Sequence, residues 1–194
     1  SVGFKLLGVT RDDAPAGSEV IRDEDGNPLL LIGGDAKLRE LIPRPEVTEA
    51  ETLEALMKVH QRYNSVGITS IFERASNLEG FKLYELLQGR GRLSVRMTMT
   101  FRSQFKDAVA VRKYVEELGL SPKSGDHWLR TGPLKITVDG GIHWGNTYLS
   151  EPYGEKRIEF YRQPQGPDYR GDLNFSVERL KDVFAEAHRM GWQM

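Results

Sequence analysis

The chain is 194 residues long, with 39% hydrophobic and 28% charged residues, a composition that belongs to a folded domain and excludes a disordered one. Its 27 basic and 28 acidic side chains leave a formal charge of −1, which excludes a strong electrostatic grip on nucleic acid or an anionic membrane. The absence of cysteine excludes a disulfide framework and restricts any metal site to nitrogen and oxygen donors.

No apolar run of about 20 residues is present, nor a basic start leading into a hydrophobic segment. Neither a membrane span nor a signal peptide is expected, and the cytoplasm is the default location. Residues 1–47 read as an irregular N-terminal segment or insertion. Within "RDEDGNPLLLIGG", Asp25-Gly26 forms a turn feeding a short strand, and Pro43 and Pro45 then break the chain. From residue 48 the pattern is cleaner. Thr48 and Glu51 fit a capping box, and Leu53, Leu56, Met57 and His60 recur on one face of a helix ending near Asn64. "GITSIF", from Gly67 to Phe72, reads as a short buried strand. "LEGFKLYELLQ" supplies a second helix and "RLSVRMTMTF" a second strand. Phe105, Val109, Arg112, Val115 and Leu118 mark a third helix, which Gly119 terminates. "PLKITVD" is the third strand. A long loop, 140–175, leads to a last helix capped by Ser176, with Leu180, Val183, Phe184 and Ala187 on its inner face.

Alternating helices and strands are the rhythm of parallel β/α units. Neither GxGxxG after a strand nor GxxxxGK[ST] occurs, so nothing favours a nucleotide-binding doubly wound sheet. A complete (β/α)8 barrel has eight strands and about 250 residues. The expected fold is therefore α/β, a partial TIM (β/α)8 barrel over 48–194, with about three parallel core strands.

Strand alternation in "PLKITVD" puts Lys135, Thr137 and Asp139 on one face and Leu134, Ile136 and Val138 on the other. In a barrel the first set points inward, where a lysine needs a carboxylate, a metal or carbamylation. Catalytic groups sit at C-terminal strand ends, and this spacing puts Lys135 early and Asp139 late. Two readings of Lys135 stay open, a solvated or paired structural lysine and a metal ligand. Asp139 either caps a turn or orients the lysine and contacts substrate. His143 and Trp144, in the loop beyond, either line a pocket above the strand ends or form an exposed pair, and Glu73 is a candidate for the same rim. His60 reads as a core or interface residue, His127 as part of a Gly-Asp turn, and His188 as a helix-end histidine favoured by the dipole. "EPYGEKRIEFYRQPQGPDYRGD" interleaves aromatics with Arg157, Arg162 and Arg170 among acidic residues. It reads as a surface or lid loop, not a single-strand nucleic-acid site.

Several blocks in order carry a resemblance: "SVGFKLLGVTRDDAPAGSEVIRDEDGNPLLL", "NSVGITSIFERA", "GRLSVRMTM", "LKITVDGGIHWGNTYLSEPY" and "FSVERLKDVFAEAHRMGWQM". Together they resemble the YtcJ-like branch of the amidohydrolase superfamily, amidohydrolase family 3. The most telling is the spacing from the lysine through DG to a later "L-EPY". The resemblance implies a central fragment of a metal-dependent barrel that hydrolyses amide or other C–N bonds with one or two divalent ions, zinc the foremost expectation. It also implies that Lys135 matches the fourth-strand lysine, carboxylated and metal-bridging in many relatives; Asp139, the aspartate of the following DG, is the candidate catalytic residue beside it. A small-molecule amide is the implied substrate.

The family's other ligands are a His-x-His pair on the first strand, single histidines on the fifth and sixth, and an aspartate on the eighth. None of His60, His127, His143 and His188 forms a His-x-His pair. Phe72-Glu73 stands where a histidine-aspartate pair is common, and Gly145-Asn146 where arginine and threonine are common. The expectation is a fragment inactive in isolation that binds no metal alone, with a homo-oligomer through exposed strand edges as a possible assembly. Two rival expectations are a catalytically inactive amidohydrolase-like binding or scaffold protein and a self-contained small α/β protein.

Overall fold

A computed structural model describes residues 4–5, 8–10, 18–33, 45–161 and 165–194. The chain divides into two units, residues 1–49 and 50–194. In the first, β1 (Ser18–Arg22) and β2 (Pro28–Gly33) form an antiparallel hairpin. Its turn is closed by Asp23, whose Oδ1 accepts from the backbone N–H groups of Asp25 (3.1 Å) and Asn27 (2.7 Å). Asp25-Gly26 thus feeds a short strand, as the sequence indicates, with Gly26 taking the positive φ of 81° that glycine permits.

The second unit continues α1 (Glu49–Ser65) into β3 (Ser70–Ser76), α2 (Leu78–Gly89), β4 (Arg96–Arg102), α3 (Ala108–Leu118) and β5 (Leu129–Lys135). The strands form one sheet in the order β3-β4-β5, with both pairs parallel. This is the partial (β/α)8-like arrangement expected. Beyond β5 the long connection holds a 3-10 turn (Ile142–Trp144) and α4 (Gly154–Tyr161) before α5 (Val177–Arg189). Asn77, Asp107 and Ser176 cap α2, α3 and α5, each side chain accepting from the N–H three residues on.

The core is continuous between sheet and helices: Val95, Met97, Met99 and Phe101 of the β4 segment meet Leu53, Phe81, Leu87, Val111 and Val183 from the helices. Two expected inner-face residues lie elsewhere. Val109 is 61% exposed and Phe184 44% exposed. α3 starts only at Ala108, so Phe105 is not on it, and the buried stripe runs through Val111, Tyr114, Val115 and Leu118 at helical spacing. Phe105 instead packs from the preceding loop, its ring edge-on to Tyr114 at 5.3 Å. α5 buries Val183 and Ala187 and adds Glu186, which bridges Arg112 of α3 (3.0 Å) and Arg189 (2.5 Å).

After α5, Trp192 is buried edge-on against Phe101, and the N–H of Leu134 donates to the Gln193 carbonyl at 2.9 Å. His60 is buried as expected, stacked on Tyr84 at 5.6 Å. Neither of its ring nitrogens has a hydrogen-bond partner, and burial lowers its pKa.

Candidate functional site

The strand register decides which side chains meet. Met97 pairs with Leu129, and Met99 with Thr131, all packed toward the helices or buried. The next pair is Phe101 with Leu134, so Gly132 and Pro133 together oppose Thr100. That is a β-bulge in β5. Without the extra residue, the alternation set by Leu129 and Thr131 would carry Lys135 to the helix side. With it, Leu134 returns to the core and Lys135 faces the open side of the sheet as the register partner of Arg102. Gly132 lets the strands approach this closely, since a Cβ there would lie 2.9 Å from the Met99 carbonyl oxygen.

β5 therefore runs from Leu129 to Lys135, four residues earlier than "PLKITVD", residues 133–139, indicates. The consequence is functional. Lys135 is at the C-terminal end of its strand, where parallel β/α folds place ligand-contacting groups, and Asp139 lies beyond it. A cavity of about 230 Å³ opens at these strand ends, lined by Phe72, Arg74, Thr100, Lys135 and Met194 among others. Thr100 is buried, and its hydroxyl has no hydrogen-bond partner. Among the described residues no carboxylate forms an ion pair with Lys135 or Arg74.

The backbone after Lys135 is held from two sides. The Lys135 carbonyl accepts from Ser103 N–H (3.0 Å), and the Gln104 amide grips Thr137, accepting from its N–H (3.0 Å) and donating to its carbonyl (3.3 Å). From the other side Asn174 donates through Nδ2 to the carbonyls of Thr137 (3.0 Å) and Asp139 (3.1 Å). Asp139 uses its own Oδ2 to accept from Tyr148 N–H at 3.0 Å, tying the long connection to the strand end. Within that connection Tyr153 stacks on Tyr169 and meets Tyr161 edge-on, and its hydroxyl donates to the Thr147 carbonyl at 2.9 Å. Burial and the nearby Asp172 carboxylate push the Tyr169 hydroxyl well above the usual phenol range.

Of the sequence candidates, Lys135 lines the cavity; Asp139, Glu73, His143 and Trp144 do not. Glu73 is the register partner of the core residue Met99, and its Oε1 accepts from Ala75 N–H. Its charge, after burial, helps raise the Tyr84 hydroxyl pKa, and its pairing with the core residue Met99 puts it on the helix side of β3. His143 and Trp144 are exposed on the 3-10 turn. Arg74, Thr100 and Arg102 were not candidates from the sequence. The signal for the last two lay in "RMTMTFR", where Met97, Met99 and Phe101 alternate with Arg96, Thr98, Thr100 and Arg102.

Among the described residues no three His, Asp or Glu side chains converge. Stable sites for a divalent ion use about three or four donors, so this donor set does not fit one by itself. Among the same residues no helix is long and apolar enough to cross a membrane.

Parallel β/α units, helices on one sheet face and polar side chains at the strand ends on the other, define this chain as part of a (β/α)8-type barrel. The sequence model described as the Amidohydrolase family matches residues 1–194, and the chain belongs to that family. Its fold is similar to that of an uncharacterized metal-dependent hydrolase from Pyrococcus horikoshii OT3, with TM-score 0.59 and 18% identity over 98% of this chain and 34% of that one. A second uncharacterized metal-dependent hydrolase, from Pyrococcus furiosus, gives TM-score 0.58 and 19% identity over 100% of this chain and 36% of that one. The chain thus spans about a third of the length of these two structures. No curated protein matches its sequence.

Proposed function

We propose that this chain is the central segment of a cytoplasmic, metal-dependent amidohydrolase that cleaves amide or other C–N bonds in a small molecule. Residues 1–47 are an insertion or excursion, and 48–194 the barrel segment. The observation that carries this reading is the placement of Lys135 at the C-terminal end of β5, on the sheet face away from the helices. The family match over the whole chain and the two metal-dependent hydrolase folds support it. In this reading Lys135 is the chain's contribution to a divalent metal site, zinc first, whose other donors come from outside these residues. Asp139 is the catalytic carboxylate behind it, and Glu73, His143 and Trp144 belong to the substrate-binding surround.

The isolated chain is then inactive, and the outer edge of β3 favours association with a second copy, whereas the backbone of Ser124, Asp126 and Gln193 already pairs along β5. A second reading, a catalytically silent binding relative, is favoured by Phe72-Glu73 and Gly145-Asn146 at positions where the family commonly carries other residues. Metal analysis and amide hydrolysis separate the two. The full-length parent is expected to bind zinc and cleave N-acetyl amino acids, to lose at least a hundredfold in kcat/KM with Lys135→Met, and the 194-residue chain to do neither. A parent that holds stoichiometric zinc but cleaves no amide would select the binding relative. Zinc binding and hydrolysis by the isolated chain would reject the fragment reading.

A further inference from the structure

We propose that Asn174 and Gln104 are positioning residues that set the Asp139 carboxylate beyond the end of β5. This rests on the reading of Asp139 as the catalytic carboxylate, and it adds the residues that aim it.

The strand itself cannot aim it. The β5 ladder stops at Lys135, and Asp139 stands four residues further on, where an isolated bridge to Leu173 replaces the ladder. A reacting group on backbone that wanders by even about 1 Å loses much of its effect. Here the intervening segment is braced from two sides. Asn174 reaches three successive carbonyls: its N–H donates to Val138 (2.9 Å), and its Nδ2 to Thr137 (3.0 Å) and Asp139 (3.1 Å). Gln104, from the loop after β4, holds Thr137 through both its N–H and its carbonyl.

Each brace is anchored. Gln104 immediately precedes Phe105 and Asn174 immediately precedes Phe175, and both phenylalanines are buried. Arg179 of α5 joins the two anchors. Its Nη2 donates to the Phe105 carbonyl at 3.2 Å, and its guanidinium lies 4.8 Å from the centre of the Phe175 ring. Ser176 caps α5 directly after Phe175, so the helix start fixes Asn174 from behind. Asn174 is 35 residues from Asp139 along the chain, and closing that loop costs entropy that a local turn would not.

One last contact orients the carboxylate. Its Oδ2 accepts from Tyr148 N–H at 3.0 Å, and among the described residues Oδ1 has no hydrogen bond. One oxygen is held and the other is left to take a proton.

The test starts from the Tyr148 amide, which reports on the carboxylate because it donates to it. In the 194-residue chain, Asn174→Ala should speed hydrogen exchange at Tyr148 about tenfold, with the rate at Met99, deep in the sheet, unchanged. Asn174→Asp keeps the shape and the backbone N–H but turns a carboxylate toward two carbonyls, and should act alike. In the full-length parent, assayed on N-acetyl amino acids, Asn174→Ala should lower kcat about tenfold and leave KM within about twofold, the mark of lost orientation without lost binding. Gln104→Ala should shift kcat in the same direction. In an Asp139→Asn background, Asn174→Ala should cost no further activity, since no carboxylate remains to be aimed.

Unchanged Tyr148 exchange in both Asn174 variants, or an equal rise at Met99, overturns the proposal. So does a loss in Asn174→Ala that adds in full to that of Asp139→Asn, which would mean a separate role. A parent that hydrolyses amides with the same kcat in Asn174→Ala overturns this inference and leaves the proposed function standing. Faster Tyr148 exchange beside a parent that cleaves no amide does the reverse.

Discussion

Lys135 is the register partner of Arg102 only because Gly132 and Pro133 together oppose Thr100 one strand away. The bulge resets the two-residue alternation, and one residue of slip is enough to exchange the faces of a strand. A methyl group at Gly132 would sit 2.9 Å from the Met99 carbonyl oxygen and 3.0 Å from Thr98 Cγ2. Gly132→Ala is therefore expected to destabilise the chain by about 1–3 kcal/mol, the range for overpacking, in urea unfolding. A variant of unchanged stability would show that the strands do not approach so closely.

His60 should make stability depend on pH. Its folded pKa is lowered by burial, so the neutral form is favoured in the folded chain, and neither ring nitrogen has a partner. The unfolded histidine binds its proton at about pH 6.5. Stability is then complete above that pH and falls as pH drops from about 6.5 toward the folded pKa, where the unfolded chain binds more protons. Urea unfolding at several pH values should show this decline, and His60→Leu should remove it while leaving stability at pH 8 the same or higher. A decline of the same size in His60→Leu would assign it to another group.

Glu186 acts in the opposite direction. Its hydrogen bond to Arg189, opposed by burial, and its contacts with Arg112 hold the carboxyl below its ordinary pKa. Its contribution is present above the unfolded carboxylate pKa and disappears as pH falls through the folded one. Glu186→Gln should lower the melting temperature at pH 7 and have little effect near pH 3. Arg112→Ala should reproduce part of the loss, and the double variant should lose less than the sum because the groups share one interaction.

Trp192 sets the segment that lies along β5. It is buried edge-on to Phe101, and the next residue, Gln193, accepts the Leu134 N–H. Trp192→Ala is expected to cost about 3–5 kcal/mol. In hydrogen exchange the Leu134 amide should lose protection ahead of Met99, deep in the sheet. Equal loss at both would mean global unfolding instead of release of this edge.

Gln104 replaces strand pairing where the ladder has ended, with a bidentate contact to Thr137. Gln104→Ala removes two hydrogen bonds, each worth about 1 kcal/mol. The expected result is a loss of about 1–2 kcal/mol, with faster exchange of the Thr137 amide and little change at Thr131.

Legible in local sequence were the alternation of helices and strands up to β5, the helix caps at Ser176 and Gly119, and the burial of His60, but not α4 within the expected 140–175 loop. Those follow from local rules: periodicity, side-chain capping and the backbone freedom of glycine. Val109 was misplaced because a helical stripe is read from its start and α3 begins later than Phe105 suggests, whereas Phe184 lies on the correctly capped α5, beside its buried stripe of Val183, Glu186 and Ala187. The site was legible only in part. Lys135 stood out as a cation in an apolar run, but its depth was not readable, because β5 begins at Leu129 through pairing with Met97 of another strand. Its orientation likewise came from a bulge that exists only between strands. Glu73 and Arg74 are adjacent in sequence, yet the register sends the first toward Tyr84 and places the second at the cavity. Local sequence fixes which residues alternate; which face is the open one depends on what packs against the sheet, and tertiary structure alone decides that.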